Sequence, residues 1–251
     1  MQTRRALAVT AAPEAGTRLA PSAPGRPNAG DDHGNELAVH TAVSPQPIAP
    51  SRAMDARTLI RRARAEPFKA IGAAWAIAMG YAFRAYYRLR GARLKTGRNL
   101  RVFGRLSVRG PGEVVLGDDV VIEGLVTLWT HAPGARIVVG NRVILGGTAF
   151  GCAQEIRIGS LSILARANIM DTDFHSLSAN RRSPDAPVRV SPVSIGDNVW
   201  IGDRVGILPG TQIGDNSVVS FGAVCARAYP ANVIIIGNPA KVAAPIPGTG
   251  S

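Results

Sequence analysis

From Ile195 to Val224 an aliphatic residue returns at every sixth position: Ile195, Ile201, Ile207, Ile213 and Val219. Four places after each stands a small or β-branched residue (Val199, Val205, Thr211, Ser217, Ala223), and Gly196, Gly202 and Gly214 directly follow the aliphatic one. A helix repeats its face every ~3.6 residues and a strand every ~2, so a strict six belongs to neither alone. It fits a short strand plus a corner, repeated and stacked, which is a β-solenoid. The aliphatic side chain then points inward, the small residue lets the chain turn close to the axis, and glycine relieves the corner backbone.

Towards the N-terminus the same pattern is weaker. Leu116-Gly-Asp-Asp-Val-Val and Ile122-Glu-Gly-Leu-Val-Thr are the first clear hexads, and the solenoid is expected from about Leu100 to Val233. The period breaks over residues 129–135, an expected loop, and returns at Val139-Gly-Asn-Arg-Val-Ile and Leu145-Gly-Gly-Thr-Ala-Phe. After a slip over residues 151–155 it resumes at Ile158 and Leu164. Between Met170 and Ile195 it stops, and a polar excursion begins with Asp171-Thr-Asp-Phe-His-Ser-Leu. Solenoids push insertions outward on one face, and such loops often bind ligand.

These hexads resemble the hexapeptide-repeat acyltransferases, whose fold is a left-handed parallel β-helix with triangular coils of three hexads. The resemblance covers roughly residues 116–242, including the closing Gly237-Asn-Pro-Ala-Lys241. It implies the left hand, against the usual right-handed crossover, and a homotrimer with active sites between subunits. The fold class expected is therefore an all-β solenoid, a left-handed parallel β-helix with an N-terminal helical segment and a disordered tail.

Composition refines this picture at the N-terminal end. In a chain of 251 residues, 46% hydrophobic and only 5% aromatic, one solenoid domain (100–251) with stacked aliphatic rows is the natural expectation. Residues 1–50 are rich in Ala, Pro and Gly and cannot bury enough surface to offset ordering entropy, so they read as a disordered tail. Their opening apolar stretch is too short and weak for a secretory signal, so a cytoplasmic location is expected. Cys152 and Cys225 read as small hydrophobes in a reducing compartment, with Cys225 on the inward series.

Residues 51–99 hold most of the charge. From Arg52 to Arg98 twelve basic residues face two acidic ones, a net of +10 in a chain of +12. Within this segment Ala70 to Phe83 is uncharged, with Phe68, Ile71, Trp75, Met79 and Phe83 at helical spacing. Fourteen uncharged residues fall short of the ~20 that cross a bilayer. An apolar helix between basic flanks suits the anionic inner membrane surface, giving peripheral contact through residues 52–98. A helix capping the open solenoid or packing at a subunit contact fits the same pattern. No nucleic-acid recognition motif accompanies the charge, so no nucleic-acid partner is expected.

Only His131 and His175 fall within the solenoid. His131 reads as a solvated or locally bonded loop residue. In the sugar and xenobiotic O-acetyltransferases of the hexapeptide class a histidine opens an extended loop at this point of the repeat. Asp171-Thr-Asp-Phe-His175-Ser-Leu is similar to that motif and precedes the Ile195-Gly-Asp-Asn-Val-Trp coil as the family has it. The resemblance thus implies an acetyl-CoA-dependent O-acetyltransferase acting on a saccharide or glycolipid, with His175 as general base. A hydroxyl is a poor nucleophile at neutral pH, and neutral imidazole can take its proton as it attacks a thioester. The thioester is already activated, so the chemistry calls for no metal and no covalent enzyme nucleophile. Asp171 or Asp173 would orient the imidazole or hold the acceptor, unless either is simply an Asx turn residue.

For the donor, the resemblance implies that Trp200, Gly202, Ser220, Gly222 and Ala223 line the pantetheine arm and that Arg227 and Lys241 meet the phosphates. Gly222 and Ala223 also have a structural reason to be small, and Trp200 could equally be a subunit contact. Two other readings stay open: a streptogramin-type xenobiotic acetyltransferase, and a catalytically silent β-helix that only assembles with partners. A zinc lyase on this fold would need three histidines, where the solenoid has two.

Overall fold

The computed structural model describes residues 66–248; the tail expected at 1–50 and the start of the basic segment lie outside the described residues. One helix, α1 (Pro67–Leu89), leads into coils of three short strands. The first coil is β1 (Arg93–Thr96), β2 (Arg101–Val102) and β3 (Arg105–Arg109); the second is β4 (Glu113–Leu116), β5 (Val121–Glu123) and β6 (Leu125–Thr130). The third is β7 (Arg136–Val139), β8 (Ile144–Gly146) and β9 (Ala149–Cys152); the fourth is β10 (Glu155–Ile158), β11 (Ile163–Leu164) and β12 (Asn168–Met170). The fifth is β13 (Val193–Ile195), β14 (Trp200–Ile201) and β15 (Gly206–Ile207); the sixth is β16 (Gln212–Ile213), β17 (Val218–Val219) and β18 (Val224–Cys225). β19 (Ala228–Tyr229) and β20 (Val233–Ile236) begin a seventh, and β21 (Lys241–Pro245) folds back antiparallel on β20. First, second and third strands of successive coils each stack into one parallel sheet, so the prism has three faces. The architecture is a left-handed β-helix of about seven turns.

The six-residue period builds the interior directly. Ile158, Ile195, Ile213 and Tyr229 pair in register on the first face, and Leu145, Leu164, Ile201, Val219 and Ile235 on the second. Phe150, Ile169, Ile207 and Cys225 do so on the third, and all of these side chains are buried. The small residues Val199, Val205, Thr211, Ser217 and Ala223 are buried at the corners as the pattern predicts. Fully burying one aliphatic side chain contributes about 1.5–3 kcal/mol, so these rows dominate stability.

The Gly-Asp-Asn after Ile195 and after Ile213 builds the first corner of its coil. Asp197 Oδ1 accepts the Ser160 N–H at 2.6 Å, and Asp215 Oδ1 accepts the Asp197 N–H at 2.7 Å. Asn198, Asn216 and Asn232 hold left-handed φ angles of 54°, 56° and 61°, which asparagine tolerates better than most residues. Their amides form a ladder from Asn198 to Asn216 (3.0 Å) and from Asn216 to Asn232 (3.1 Å). Gly196 must lack a side chain, because a Cβ there would lie 2.2 Å from Asp215 Oδ1.

The helix closes the N-terminal end. Pro67 occupies its first turn, where no N–H is required. Ala76, Gly80 and Tyr87 form its buried face, and a Cβ on Gly80 would meet the Leu100 carbonyl oxygen at 2.0 Å. The Tyr87 hydroxyl donates to the Leu106 carbonyl (2.8 Å) and accepts the Val108 N–H (2.9 Å), tying helix to first coil. Among the described residues, no helix is long and apolar enough to cross a membrane. Strand pairing begins at Arg93, ahead of the expected Leu100, since Arg93–Thr96 pairs along Glu113–Leu116.

Candidate active site

The polar excursion leaves the prism between β12 and β13, at the corner from third to first face. Its two ends are fastened together. Thr172 forms an antiparallel bridge with Val190, Asp173 N–H donates to the Arg189 carbonyl (3.1 Å), and Ser191 N–H donates to the Asp171 carbonyl (2.8 Å). The Arg189 guanidinium donates to the Pro209 carbonyl and anchors the neck to the next coil. Asp171 is fully buried, and its two oxygens accept the N–H groups of Ala153 and Gln154, each at 2.7 Å. Its carboxylate is therefore spent on the previous coil's corner. Beyond the neck the chain turns sharply: Phe174 has φ 57°, its N–H donates to Thr172 Oγ1 (3.2 Å), and His175 N–H donates to the Asp173 carbonyl (2.6 Å). This turn leaves His175 exposed, its imidazole without a hydrogen-bond partner among the described residues. Asp173 Oδ2 is buried and likewise unpartnered there.

Phe174 fixes the base of the turn. Its ring covers Gly151, where a Cβ would come within 2.3 Å of Cζ. The His131 ring meets it edge-on at a centroid distance of 4.6 Å, and Trp129 tilts against His131 at 4.2 Å. Sequence suggested a solvated or locally bonded His131. Instead its ring packs against the excursion, with Nε2 buried and unpartnered among the described residues. Burial pushes its imidazole pKa down, while the Asp171 charge pulls weakly the other way. Burial also raises the thiols of Cys152 to about 12 and Cys225 to about 11, so both stay protonated and unreactive near neutral pH.

The residues expected at the donor are spread over the second face, the corner after it and the corner from which the excursion emerges. Trp200 projects outward from β14, 56% exposed and in register with Ile163. Gly202, Ser220 and Gly222 sit at the next corner, between second and third faces. A Cβ on Gly202 would lie 2.9 Å from the Phe221 nitrogen, whereas Gly222, at φ 69°, opens onto free space. Ala223 is fully buried, so only its backbone can face a ligand. Arg227 is exposed just after β18, on the corner from which the excursion emerges, and Lys241 is exposed at the start of β21. Phe221, which sequence reasoning passed over, is 62% exposed beside Gly222, with the Arg204 guanidinium 5.6 Å from its ring centroid. An aromatic at an outward hexad position was the available signal. Among the described residues no three His, Cys, Asp or Glu side chains converge.

Comparison with known proteins agrees with this geometry. Residues 192–227 match the family model described as Bacterial transferase hexapeptide (six repeats). The Escherichia coli (strain K12) protein named "Putative colanic acid biosynthesis acetyltransferase WcaF" is 29% identical over 170 residues, 67% of this chain and 78% of that protein. The fold is shared with AntD, an N-acyltransferase from Bacillus cereus solved in complex with dTDP and 3-hydroxybutyryl-CoA. The TM-score is 0.56 and the identity 18%, over 65% of this chain and 88% of that one. Galactoside O-acetyltransferase of Escherichia coli (strain K12) is 47% identical over 141 residues, 53% of this chain and 70% of that protein. With the solenoid, its corner chemistry and that relative together, this chain belongs to the hexapeptide-repeat acyltransferases.

Proposed function

We propose that the protein transfers an acetyl group from acetyl-CoA to a hydroxyl of a saccharide or glycolipid, with His175 as general base. The observation that carries this reading is the exposed, unpartnered imidazole at the head of a fastened neck. His175 takes the proton of the acceptor hydroxyl as its oxygen attacks the thioester carbon. The tetrahedral oxyanion is stabilised by backbone N–H donors, the C–S bond breaks, and the imidazolium returns its proton to the leaving CoA thiolate. Asp173 orients the acceptor or the imidazole. Asp171, buried on the Ala153 and Gln154 amides, serves the site by holding the neck.

The donor lies along Trp200, Gly202, Ser220, Gly222 and the backbone of Ala223, with Arg227 and Lys241 at its phosphates. Because these groups stand on different corners of one prism, a neighbouring copy supplies the facing wall. A closed threefold ring satisfies all three such surfaces, so the protein is a homotrimer. The saccharide acceptor is supported by the names of two relatives, one a galactoside O-acetyltransferase and one assigned to colanic acid biosynthesis. Helix α1 adds a peripheral contact with the inner membrane surface in the cytoplasm. The outward apolar side chains Phe68, Ile71 and Trp75, beside basic residues, support that contact.

Thiol release from acetyl-CoA, measured against a panel of sugars with sugar-free and streptogramin-containing controls, tests the reading. Sugar-dependent release that vanishes in His175→Ala is expected. Release with the drug alone would move the acceptor to the xenobiotic class, and no release with any acceptor would leave an assembly protein.

A further inference from the structure

Helix α1 and the first coil enclose a cleft of about 700 Å³, within the range of small-molecule sites. Its lining includes Tyr81, Arg84 and Arg88 from the helix and Lys95 and Thr96 from β1, three cations and no carboxylate. Arg84 and Arg88 have no acidic partner among the described residues, and Lys95 shares Glu113 with Arg136. The two arginines stand four residues apart, about 6 Å along the helix and about 40° around it. Like charges at this spacing repel and weaken a helix. Neither belongs to the Ala76–Gly80–Tyr87 face that packs on the coil, so packing does not account for the pair. The Arg84 guanidinium lies over the Tyr81 ring, 5.8 Å from its centroid, which leaves its N–H edges for another partner.

The strand side adds unpartnered polar groups. β1 is the first strand of its sheet and pairs only with β4. Successive N–H groups of a strand point to opposite sides, and the Gly97 N–H, one residue on, donates to the Leu116 carbonyl at the end of β4. The Thr96 N–H therefore points away from β4, to the helix side, and has no partner among the described residues. The buried Thr96 hydroxyl has none there either, and such groups are costly to leave unbonded. Positive charge gathered without counter-charge, beside such groups, suits an anion that bonds several donors at once. A carboxylate brings two oxygens and a single charge. A phosphate monoester brings three acceptor oxygens on different sides and a charge of about −2, so it can meet two guanidinium forks and a backbone N–H together.

We infer that the cleft between α1 and β1 binds the phosphate of a phosphorylated ligand. Arg84 and Arg88 supply the planar donor pairs, Lys95 the third charge, and the Thr96 N–H a backbone donor. The cleft belongs to the first coil, whereas His175 follows the fourth and Lys241 follows the last, so the site depends on neither the acyl-transfer reading nor the membrane contact. A soluble organic phosphate and a lipid headgroup present the same group to it. Loss of the cleft cations then weakens phosphate binding more than loss of equal charge elsewhere.

Binding of inorganic diphosphate and of citrate to the full-length protein is measured by isothermal titration calorimetry. Sedimentation with phosphatidylcholine vesicles, with and without phosphatidylglycerol, separates the two sources. Diphosphate is expected to bind more tightly than citrate. Arg84→Gln with Arg88→Gln should weaken diphosphate binding about tenfold or more, while Arg142→Gln with Arg157→Gln, equal in charge loss, should weaken it less than about threefold. Circular dichroism checks that both variants stay folded. Sedimentation with phosphatidylglycerol vesicles that is lost with Arg84 and Arg88 and competed by diphosphate would sustain the site and make its source a lipid. Diphosphate binding lost with Arg84 and Arg88, with sedimentation absent or unchanged, would sustain the site and make its source a soluble phosphate. No diphosphate binding by wild type, or equal weakening in the two pairs, would overturn the site and leave the cations a solvated surface. Citrate bound as tightly as diphosphate would overturn the phosphate assignment.

Discussion

The ring of His131 meets the ring of Phe174 edge-on at 4.6 Å, one residue before His175. Phe174 is thereby held between Gly151 beneath it and His131 beside it, and its left-handed backbone sets the turn that carries the imidazole. A base that must meet an acceptor within hydrogen-bond reach depends on such a seat, since small misplacements cost rate steeply. Two groups from different coils seat the turn that carries the proposed base.

Gly151→Ala tests the seat. The new methyl would need the space of Phe174 Cζ, so the ring must tilt away. The expected cost in stability is about 1–3 kcal/mol, as for modest overpacking. Turnover should fall about tenfold or more while CoA affinity holds, because the displaced turn carries the base and not the donor wall. Kinetics beside isothermal titration with CoA would decide it: normal turnover after the same loss of melting temperature would mean that Phe174 does not position His175.

His131 predicts a pH dependence of stability. Burial lowers its folded pKa, so the unfolded chain takes up the proton first as pH falls through about 6.5. Its contribution is complete above that pH and is lost progressively below it. Chemical denaturation from about pH 8 to pH 5 should show stability falling on the acid side, and His131→Phe, which keeps a ring against Phe174, should flatten that fall. An unchanged slope in the variant would assign the acid sensitivity to other groups.

Much of this fold is visible in the sequence wherever the core is aliphatic and the corners are Gly-Asp-Asn. Ile195, Ile201 and Ile207 declare their own rows, and Asn198 meets Asn216 because three hexads of constant length, 18 residues, separate them, whereas the coil from Asn216 to Asn232 takes 16. The first coil is obscured by its own composition: Arg93-Leu-Lys-Thr alternates like any exposed strand, and its partner Glu113–Leu116 lies beyond two further strands. The third face is hidden only in its third coil, where Phe150 and Cys152 fill the interior in place of Ile or Val; farther on, Ile169 and Ile207 continue it. His175 could be picked out by its place at the opening of the excursion. Its neighbours could not, because the corner loops between third and first faces differ in length. No count along the chain brings His131 to Phe174, or Asp171 to the amides of residues 153 and 154.

Asp171 should act on stability. Asp171→Ala removes the acceptor of the part-buried Ala153 and Gln154 N–H groups, at about 0.5–1.5 kcal/mol each. Melting should move down sharply, while the KM for the acceptor in protein still folded at low temperature should hardly change. A raised acceptor KM with unchanged melting would return Asp171 to the substrate-binding role suggested by its place in the motif.

Replacing His175 gives the sharpest test, because the residue is exposed and belongs to no row of the core. His175→Ala should melt like wild type and lose about two to four orders of magnitude in turnover, the usual contribution of a positioned base. CoA should bind it almost normally, since Trp200 and Gly202 stand on other parts of the prism. If active sites form between copies, mixing inactive His175→Ala chains with donor-wall Trp200→Ala chains should restore activity, because some interfaces then combine an intact base with an intact wall. Near-normal turnover in His175→Ala would mean another group takes the proton. Loss of CoA binding in the same variant would make the excursion part of the donor site. Mixed chains no more active than either parent, in a preparation shown by native mass spectrometry to exchange subunits, would place base and donor wall within a single copy and remove the argument for a shared site.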